Sequence, residues 1–293
     1  MNMLILVAST FLMGSSFVAG KILLQEGFPA LLLVGWRFFA AALATLPLLW
    51  FEEKNPRKAL FPAGMGLRGA LLAKVIGLLQ TAAVMGLLFL SMRSISASTA
   101  AILLFTNPLW VALLGAVFLG ETLTASRMAG LVIGLAGVGF ALGIGPDLLA
   151  GGDTATGELI GLASSFCWAA ATLITKRAAL PIGAWALSFW QMLVGSLALL
   201  ALSYGLGQHW PEGTTLRQWG WFAWLAIPAS TGSFGLWFMA LRRNGATKAS
   251  GFLFLAPLFT VILSVFVLDA RLSWQQAVGG VLIGLALWLV NRR

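Results

Sequence analysis

Apolar residues follow one another along this chain in long runs, and polar residues gather in short stretches between them. A helix needs about 20 mostly apolar residues to cross the hydrocarbon core of a bilayer. Ten runs meet this length, at roughly residues 3–23, 30–50, 69–91, 96–118, 126–145, 157–178, 184–206, 217–241, 246–268 and 273–290. The pattern therefore predicts an all-α integral membrane protein with ten transmembrane helices, and it leaves no segment for a soluble domain.

The composition supports this prediction. The 293 residues are 60% hydrophobic and 9% charged, whereas soluble domains average about 45–50% and 25%. The net charge of +9 is explained better by basic residues that flank membrane spans than by nucleic-acid binding. Because the chain has one cysteine, Cys167, and one histidine, His209, we expect neither a disulfide framework nor a metal site, and no cofactor.

The basic residues also predict an orientation, because Lys and Arg accumulate in cytoplasmic loops. The two termini and the even-to-odd connections carry twelve: Lys54, Arg57, Lys58, Arg68, Arg127, Lys176, Arg177, Arg242, Arg243, Lys248, Arg292 and Arg293. The other side carries four: Lys21, Arg93, Arg217 and Arg271. We therefore expect a multi-pass protein of the cell inner (plasma) membrane with both termini in the cytoplasm. A cleavable signal peptide is not expected, since no basic stretch precedes the first apolar run.

Two segments of the chain resemble each other weakly, and they divide it into two halves. Pro108 in "FTNPLW" and Pro257 in "FLAPLF" are 257 − 108 = 149 residues apart, and at the same offset "GLLFLSMRS" at 86–94 matches "GLWFMALRR" at 235–243. Upstream, "FLMGSSFVAGK" at 11–21 matches "FCWAAATLITK" at 166–176. These matches predict one five-span repeat at 1–145, an outer linker at 146–158 and a second repeat at 159–293.

Since five spans are an odd number, the second repeat enters the membrane from the opposite side. Inverted repeats are typical of alternating-access transporters that hold substrate near the midplane. Proline removes a backbone donor within a helix, and the freed polar groups are tolerated only inside protein or along a cavity. We therefore predict that Pro108 and Pro257 act as hinges. The alternative is that both prolines only kink helices for packing.

Several short motifs occur in a fixed order within the first repeat. They are "GSSFVAGK" at 14–21, "WRF" at 36–38, and the proline of "FTNPLW" followed by Gly120-Glu121 at the end of that span. With these motifs the whole chain resembles the drug/metabolite transporter superfamily, in its EamA-type family of ten-span exporters. Within that family it is most similar to the YddG-type amino-acid exporters.

The resemblance implies a bundle of ten helices around a central cavity and export of amino acids or related metabolites. It also implies aromatic residues around the proline of span four, which Phe105 and Trp110 match. The chain departs from the pattern at Asn107, where an aromatic residue would strengthen the match. A second departure is Ala270, which replaces the acid paired with Glu121. These departures leave the choice of substrate open.

Polar side chains inside spans are costly and are candidates for function. Arg37, in span two, is predicted to hold a substrate carboxylate or to pair with a helix C-terminus or Glu26, although its side chain has the alternative of snorkelling to the headgroups. The other candidates for substrate binding are Gln80, Thr81, Phe105, Asn107, Trp168, Ser230 and Phe234. The polar members have the alternative of hydrogen bonds between helices, and the aromatic members could stack on an apolar substrate.

None of the nine acids falls in the core of a predicted span, although proton-coupled carriers usually keep a carboxylate or histidine there. The sequence therefore favours a secondary transporter that exports amino acids, including aromatic or large apolar ones, by passive transport or exchange. The alternative is an exporter of other small metabolites or drugs, with proton coupling. We do not expect an enzyme, because no nucleophile with a base, metal cluster or pair of carboxylates is visible within the spans. We do not expect ATP to drive the protein directly, because the sequence has no Walker-type phosphate loop. We expect a monomer or a weak dimer that contacts membrane lipid and no nucleic acid.

Overall fold

The computed structural model describes residues 2–51, 54–120, 125–142, 152–236 and 255–291. Within these ranges the regular structure is helical throughout. The α-helices are α1 (Asn2–Gln25), α2 (Ala30–Thr45), α3 (Pro56–Leu60), α4 (Gly66–Gly77), α5 (Val84–Ser91), α6 (Ala97–Leu104), α7 (Asn107–Leu119), α8 (Ala125–Leu142), α9 (Asp153–Ala178), α10 (Ala184–Gly205), α11 (Leu216–Ala226), α12 (Leu255–Leu268) and α13 (Trp274–Asn291). A 3₁₀ segment, Leu46–Phe51, extends α2.

Helical residues lie within all ten predicted spans, but the ranges above contain six helices long and apolar enough to cross a membrane. These are Leu4–Gln25, Ala30–Trp50, Gly66–Ser91, Ala97–Phe118, Asp153–Ala178 and Ala184–Gly205. The helix of the ninth predicted span, Leu255–Leu268, is shorter, and residues 246–254 of that span lie outside the described ranges. Multiple membrane spans are thus confirmed, while the number ten stays a prediction.

Close helix pairs are made possible by glycines that face a neighbouring helix. A Cβ on Gly35 of α2 would lie 2.8 Å from Leu200 of α10, and a Cβ on Gly137 of α8 would lie 2.9 Å from Leu282 of α13. The backbones of α2 and α10, and of α8 and α13, therefore run side by side along much of their length. Small residues allow this approach in membrane proteins, where packing rather than hydrophobic burial drives association.

Two π-helical segments interrupt the third and eighth predicted spans. The first is Leu78–Ala83 and the second is Ile227–Gly232, and their starting residues are 227 − 78 = 149 apart. This is also the separation of the two prolines. A π-helix shifts the hydrogen-bond ladder locally and occurs often at functional sites. The second segment packs on α2, and the first packs on α10.

Candidate functional site

A small cavity of about 110 Å³ lies inside the helix bundle. Residues from both halves of the sequence line it: Met13, Ser16, Phe17, Arg37, Gln80, Met85, Leu88, Phe89, Leu104, Phe105, Trp168, Ala229, Ser233 and Phe234. Five of the eight predicted binding residues are therefore brought together, namely Arg37, Gln80, Phe105, Trp168 and Phe234. The described part of the wall is mainly apolar and aromatic, and it contains one cationic side chain.

Arg37 is the charged group of this wall, and it is 3% exposed. Its Nε donates a hydrogen bond of 2.8 Å to Ser230 Oγ. Its Cζ lies 4.7 Å from the ring centroid of Phe38 and 5.4 Å from that of Phe89, which places the cation against two aromatic rings. Arg37 is thus held within the protein instead of snorkelling to the headgroups.

The second π-helical segment positions this arginine. Ser230, which does not line the cavity itself, accepts the bond from Arg37 and donates one of 2.8 Å to the carbonyl of Leu225, five residues earlier. The hydroxyl of the next residue, Thr231, donates a hydrogen bond of 2.9 Å to the carbonyl of Ala41 on α2. Because the segment is tied to α2 at Arg37 and again one turn later at Ala41, the guanidinium has a fixed place in the cavity wall.

Gln80 and Thr81, neighbours in the first π-helical segment, face different ways. Gln80 lines the cavity and is half-buried. Thr81 is 2% exposed and packs against α10, where a Cβ on Gly195 would overlap its Cβ. Of the pair, Gln80 is placed to contact a ligand in the cavity, and Thr81 lies in the seam between two helices.

Aromatic rings form the apolar part of the wall. The Phe105 ring is 6.0 Å from that of Trp168 in an edge-to-face arrangement, and 6.3 Å from that of Phe17 on α1. Phe234 lines the same cavity from the eighth predicted span. These rings present a surface on which an apolar or flat group could pack.

The fourth predicted span is broken between α6 and α7, next to Pro108. A proline cannot donate to the carbonyl four residues earlier, which here belongs to Leu104. Ser165 Oγ on α9 donates a hydrogen bond of 3.0 Å to that carbonyl. Ser165 Oγ also lies 2.9 Å from Thr106 Oγ1, which accepts a hydrogen bond of 3.2 Å from Trp110 Nε1. The break is therefore stabilised by polar groups buried in protein.

Ser165→Ala is expected to lower the free energy of unfolding by about 1–3 kcal/mol, because it removes a donor to a buried carbonyl. The measurement is thermal or denaturant unfolding of the purified protein in detergent. Ser196→Ala is the matched control, since Ser196 Oγ donates only to Leu193 of its own helix, and a smaller loss is expected. Equal losses for the two variants would contradict the role given to Ser165.

Asn107 and Pro257 lie outside the lining of the cavity. Asn107 begins α7 and is 7% exposed, and its Nδ2 has no hydrogen-bond partner among the residues that the structure describes. Pro257 lies in the first turn of α12, which is bound to α1 through Thr260 Oγ1 and the carbonyl of Gly14, 3.1 Å apart. Substrate binding by Asn107 and hinge motion at the two prolines stay predictions.

Sequence reasoning missed several residues at or near this site. Ser16 and Phe17 line the cavity, and the "GSSFVAGK" motif that contains them was the signal that could have found them. Lys21, counted above as an outer basic residue, donates a 2.9 Å bond to the carbonyl of Ile95, and a second to that of Met92. This lysine ties α1 to the turn between the third and fourth spans.

One acid, Glu158, is buried near the start of the sixth predicted span, and the absence of an acid from the core of a span stays a prediction. Glu158 lies in the second turn of α9 and is 7% exposed. Helix α9 begins at Asp153, four residues before the start predicted from the apolar run, because an acidic residue in the first turn is favourable to a helix. Glu158 does not line the cavity.

The known proteins that this chain resembles agree with a membrane carrier. The model of the EamA-like transporter family matches residues 1–143 and 155–292. The chain belongs to the EamA-like transporter family. Membership indicates a multi-pass membrane transporter rather than an enzyme.

Two relatives and one solved structure illustrate the similarity. An uncharacterized transporter of Bacillus subtilis, YoaV, is 26% identical over 96% of this chain and 93% of its own. Protein PecM of Dickeya dadantii is 30% identical over 74% of this chain and 72% of its own. A protein crystal structure superposes with a TM-score of 0.64 at 20% identity, covering 96% of each chain, which shows a shared fold.

Proposed function

We propose that this protein is a secondary transporter that exports amino acids with apolar or aromatic side chains. The observation that carries the proposal is Arg37, a buried cation in the cavity wall with no carboxylate within 4 Å among the residues described. An uncompensated buried charge is costly. A substrate carboxylate would compensate it, because a guanidinium binds a carboxylate through two parallel hydrogen bonds.

The rest of the cavity suits the rest of such a substrate. Gln80 and the hydroxyl of Ser16 offer polar contacts for an ammonium group, and Phe105, Trp168 and Phe234 offer an apolar surface. At about 110 Å³ the cavity is smaller than the roughly 300–1,000 Å³ of most ligand pockets. We infer that the helices around it move apart when a large side chain binds.

We also propose that ten spans form an inverted repeat, with residues 1–145 and 159–293 as the two copies and 146–158 as the linker. The equal 149-residue separations of the prolines and of the π-helical segments support this arrangement. The pairing of α2 with α10 and of α8 with α13 supports it as well, because each pair joins corresponding spans of the two copies. Alternating access then moves one copy against the other around the cavity, with Pro108 and Pro257 as hinges.

We propose that transport is passive or by exchange. We also propose that the protein lies in the inner membrane with both termini in the cytoplasm. No carboxylate or histidine lines the cavity among the described residues. Glu158 is the buried acid to test if coupling to protons is found.

A second candidate function is the export of other small metabolites or drugs, and the charge of the cavity wall favours anionic ones among them. With a cation and no acid among the described residues that line it, the cavity disfavours cationic drugs and suits organic acids that lack an amino group. Such acids would use Arg37 and the aromatic wall alone.

The test is counterflow in liposomes that contain the purified protein and unlabelled amino acid. Labelled phenylalanine or leucine is expected to accumulate transiently, and to do so equally with and without a proton gradient. Accumulation that requires the gradient would contradict passive exchange and would direct attention to Glu158. If no amino acid exchanges but an organic acid does, the second candidate replaces the first.

A further inference from the structure

A larger cleft of about 440 Å³ lies away from the central cavity, between the start of α4 and α10. Ala70 and Lys74 of α4 form one wall, and Trp190 and Val194 of α10 form the other. Its roof is the segment that precedes α4. Phe61 of this segment packs edge-to-face on Trp190, with ring centroids 5.4 Å apart. Trp190 Nε1 donates a hydrogen bond of 3.0 Å to the carbonyl of Leu60.

The cleft borders surfaces that face the lipid. On α4 it lies beside Leu67 and Leu71, which are 78% and 54% exposed, and on α10 it lies beside Leu197, which is 50% exposed. Large aliphatic side chains on the outside of a membrane-spanning helix contact acyl chains. An acyl chain can therefore enter this cleft sideways from the bilayer.

Basic residues lie at the end of the cleft that is near the start of α4. Lys74 lines it, is exposed, and has no carboxylate within 4 Å among the described residues. Because Cβ atoms tilt toward the N-terminus of their helix, the Lys74 side chain is directed toward the start of α4 and the membrane surface. Arg57 and Lys58 are exposed on the segment that precedes α4, and Arg68 is exposed in the first turn of α4 itself. The acids of that segment, Glu52 and Glu53, lie outside the described ranges.

We propose that this cleft binds an anionic phospholipid. One acyl chain lies between α4 and α10, and the phosphate contacts Lys74 together with Arg57, Lys58 and Arg68. The charge of the site and its opening toward lipid select this occupant, since basic pockets between transmembrane helices on the cytoplasmic side bind anionic headgroups. The site is separate from the central cavity and does not depend on which substrate is carried.

The test is native mass spectrometry of the full-length protein in detergent with phosphatidylglycerol or phosphatidylcholine of identical acyl chains. Phosphatidylglycerol is expected to bind more tightly. Lys74→Gln is expected to weaken its binding about five-fold, which corresponds to about 1 kcal/mol for one basic residue. Lys74→Arg should keep the wild-type affinity. Arg93→Gln, which removes an exposed cation beyond the other end of the same span, should also leave it unchanged.

A second variant tests the apolar half of the site. Ala70→Trp fills the cleft from an exposed position and keeps all the charges, so it is expected to reduce the binding of phosphatidylglycerol several-fold. The proposal is overturned if Lys74→Gln and Ala70→Trp both bind phosphatidylglycerol as the wild type does. Equal affinity of the wild type for the two lipids would overturn it as well.

Discussion

Arg37→Gln is expected to raise the substrate concentration at half-maximal counterflow by about 10- to 100-fold. A hydrogen bond to a charged group is worth about 1.5–3 kcal/mol, and each 1.4 kcal/mol is a factor of ten in binding. The variant keeps a polar side chain beside Ser230 but removes the cation. Arg37→Lys keeps the charge but not the fork of donors, so an intermediate loss is expected. The measurement is the concentration dependence of counterflow in liposomes.

The stability of the same variant separates binding from folding. The wild-type protein bears the cost of a buried cation without an ionised partner among the described residues, and Arg37→Gln removes that cost. Ser230 keeps its bond to the Leu225 carbonyl, so no buried hydroxyl loses all its partners. The free energy of unfolding is therefore expected to be unchanged or higher. A large loss of stability together with normal transport would give Arg37 a structural role instead.

Gly195→Ala is expected to lower the free energy of unfolding substantially. A methyl group at this position would overlap Thr81 Cβ and lie 2.7 Å from the carbonyl oxygen of Gly77. Overpacking of this kind costs about 1–3 kcal/mol, and the backbone carbonyl cannot turn aside as a flexible side chain can. The measurement is thermal unfolding in detergent. Because Gly195 packs on the π-helical segment that carries Gln80, counterflow is expected to fall as well.

Gly220→Ala is the matched control on another helix. No atom of the described residues lies within 4 Å of a Cβ on Gly220, and its position is inside α11. Alanine is favoured over glycine inside a helix by about 0.5–1 kcal/mol, so this variant is expected to be slightly more stable than the wild type. A loss at Gly220 as large as that at Gly195 would show that the contact with Thr81 and Gly77 is not the cause.

The helical membrane fold could be predicted from the sequence because the apolar runs have the length of a bilayer. The third and eighth predicted spans show the limit of this reasoning, since hydropathy continues both spans through Leu78–Ala83 and Ile227–Gly232, although Pro228 in the second segment is a sequence signal for an interrupted helix. Both segments are π-helical in the structure, where the first packs on α10 and the second packs on α2. Hydropathy reports burial in lipid or protein and carries no information on such local shifts.

Only part of the candidate site could be predicted, because a sequence shows which side chains are unusual in an apolar span but not what they contact. Costly side chains in apolar surroundings stand out, and this signal found Arg37 and Gln80. It also selected Thr81 and Asn107, because a sequence does not show which face of a helix meets a cavity. Lys21 lay near the end of a run, where snorkelling is common, and its bonds to the carbonyls of Met92 and Ile95 depend on a turn 71–74 residues away.

The central claim is that Arg37 recognises the carboxylate of an apolar substrate, and the most direct test is competition for counterflow by matched ligands. The set is phenylalanine, phenylalanine amide, phenethylamine and 3-phenylpropionate, each competing with labelled phenylalanine in liposomes. Compounds with the carboxylate are predicted to compete in the wild type, and the amide and amine are predicted not to. In Arg37→Gln this preference should disappear. Competition by phenethylamine equal to that of phenylalanine in the wild type would contradict the account.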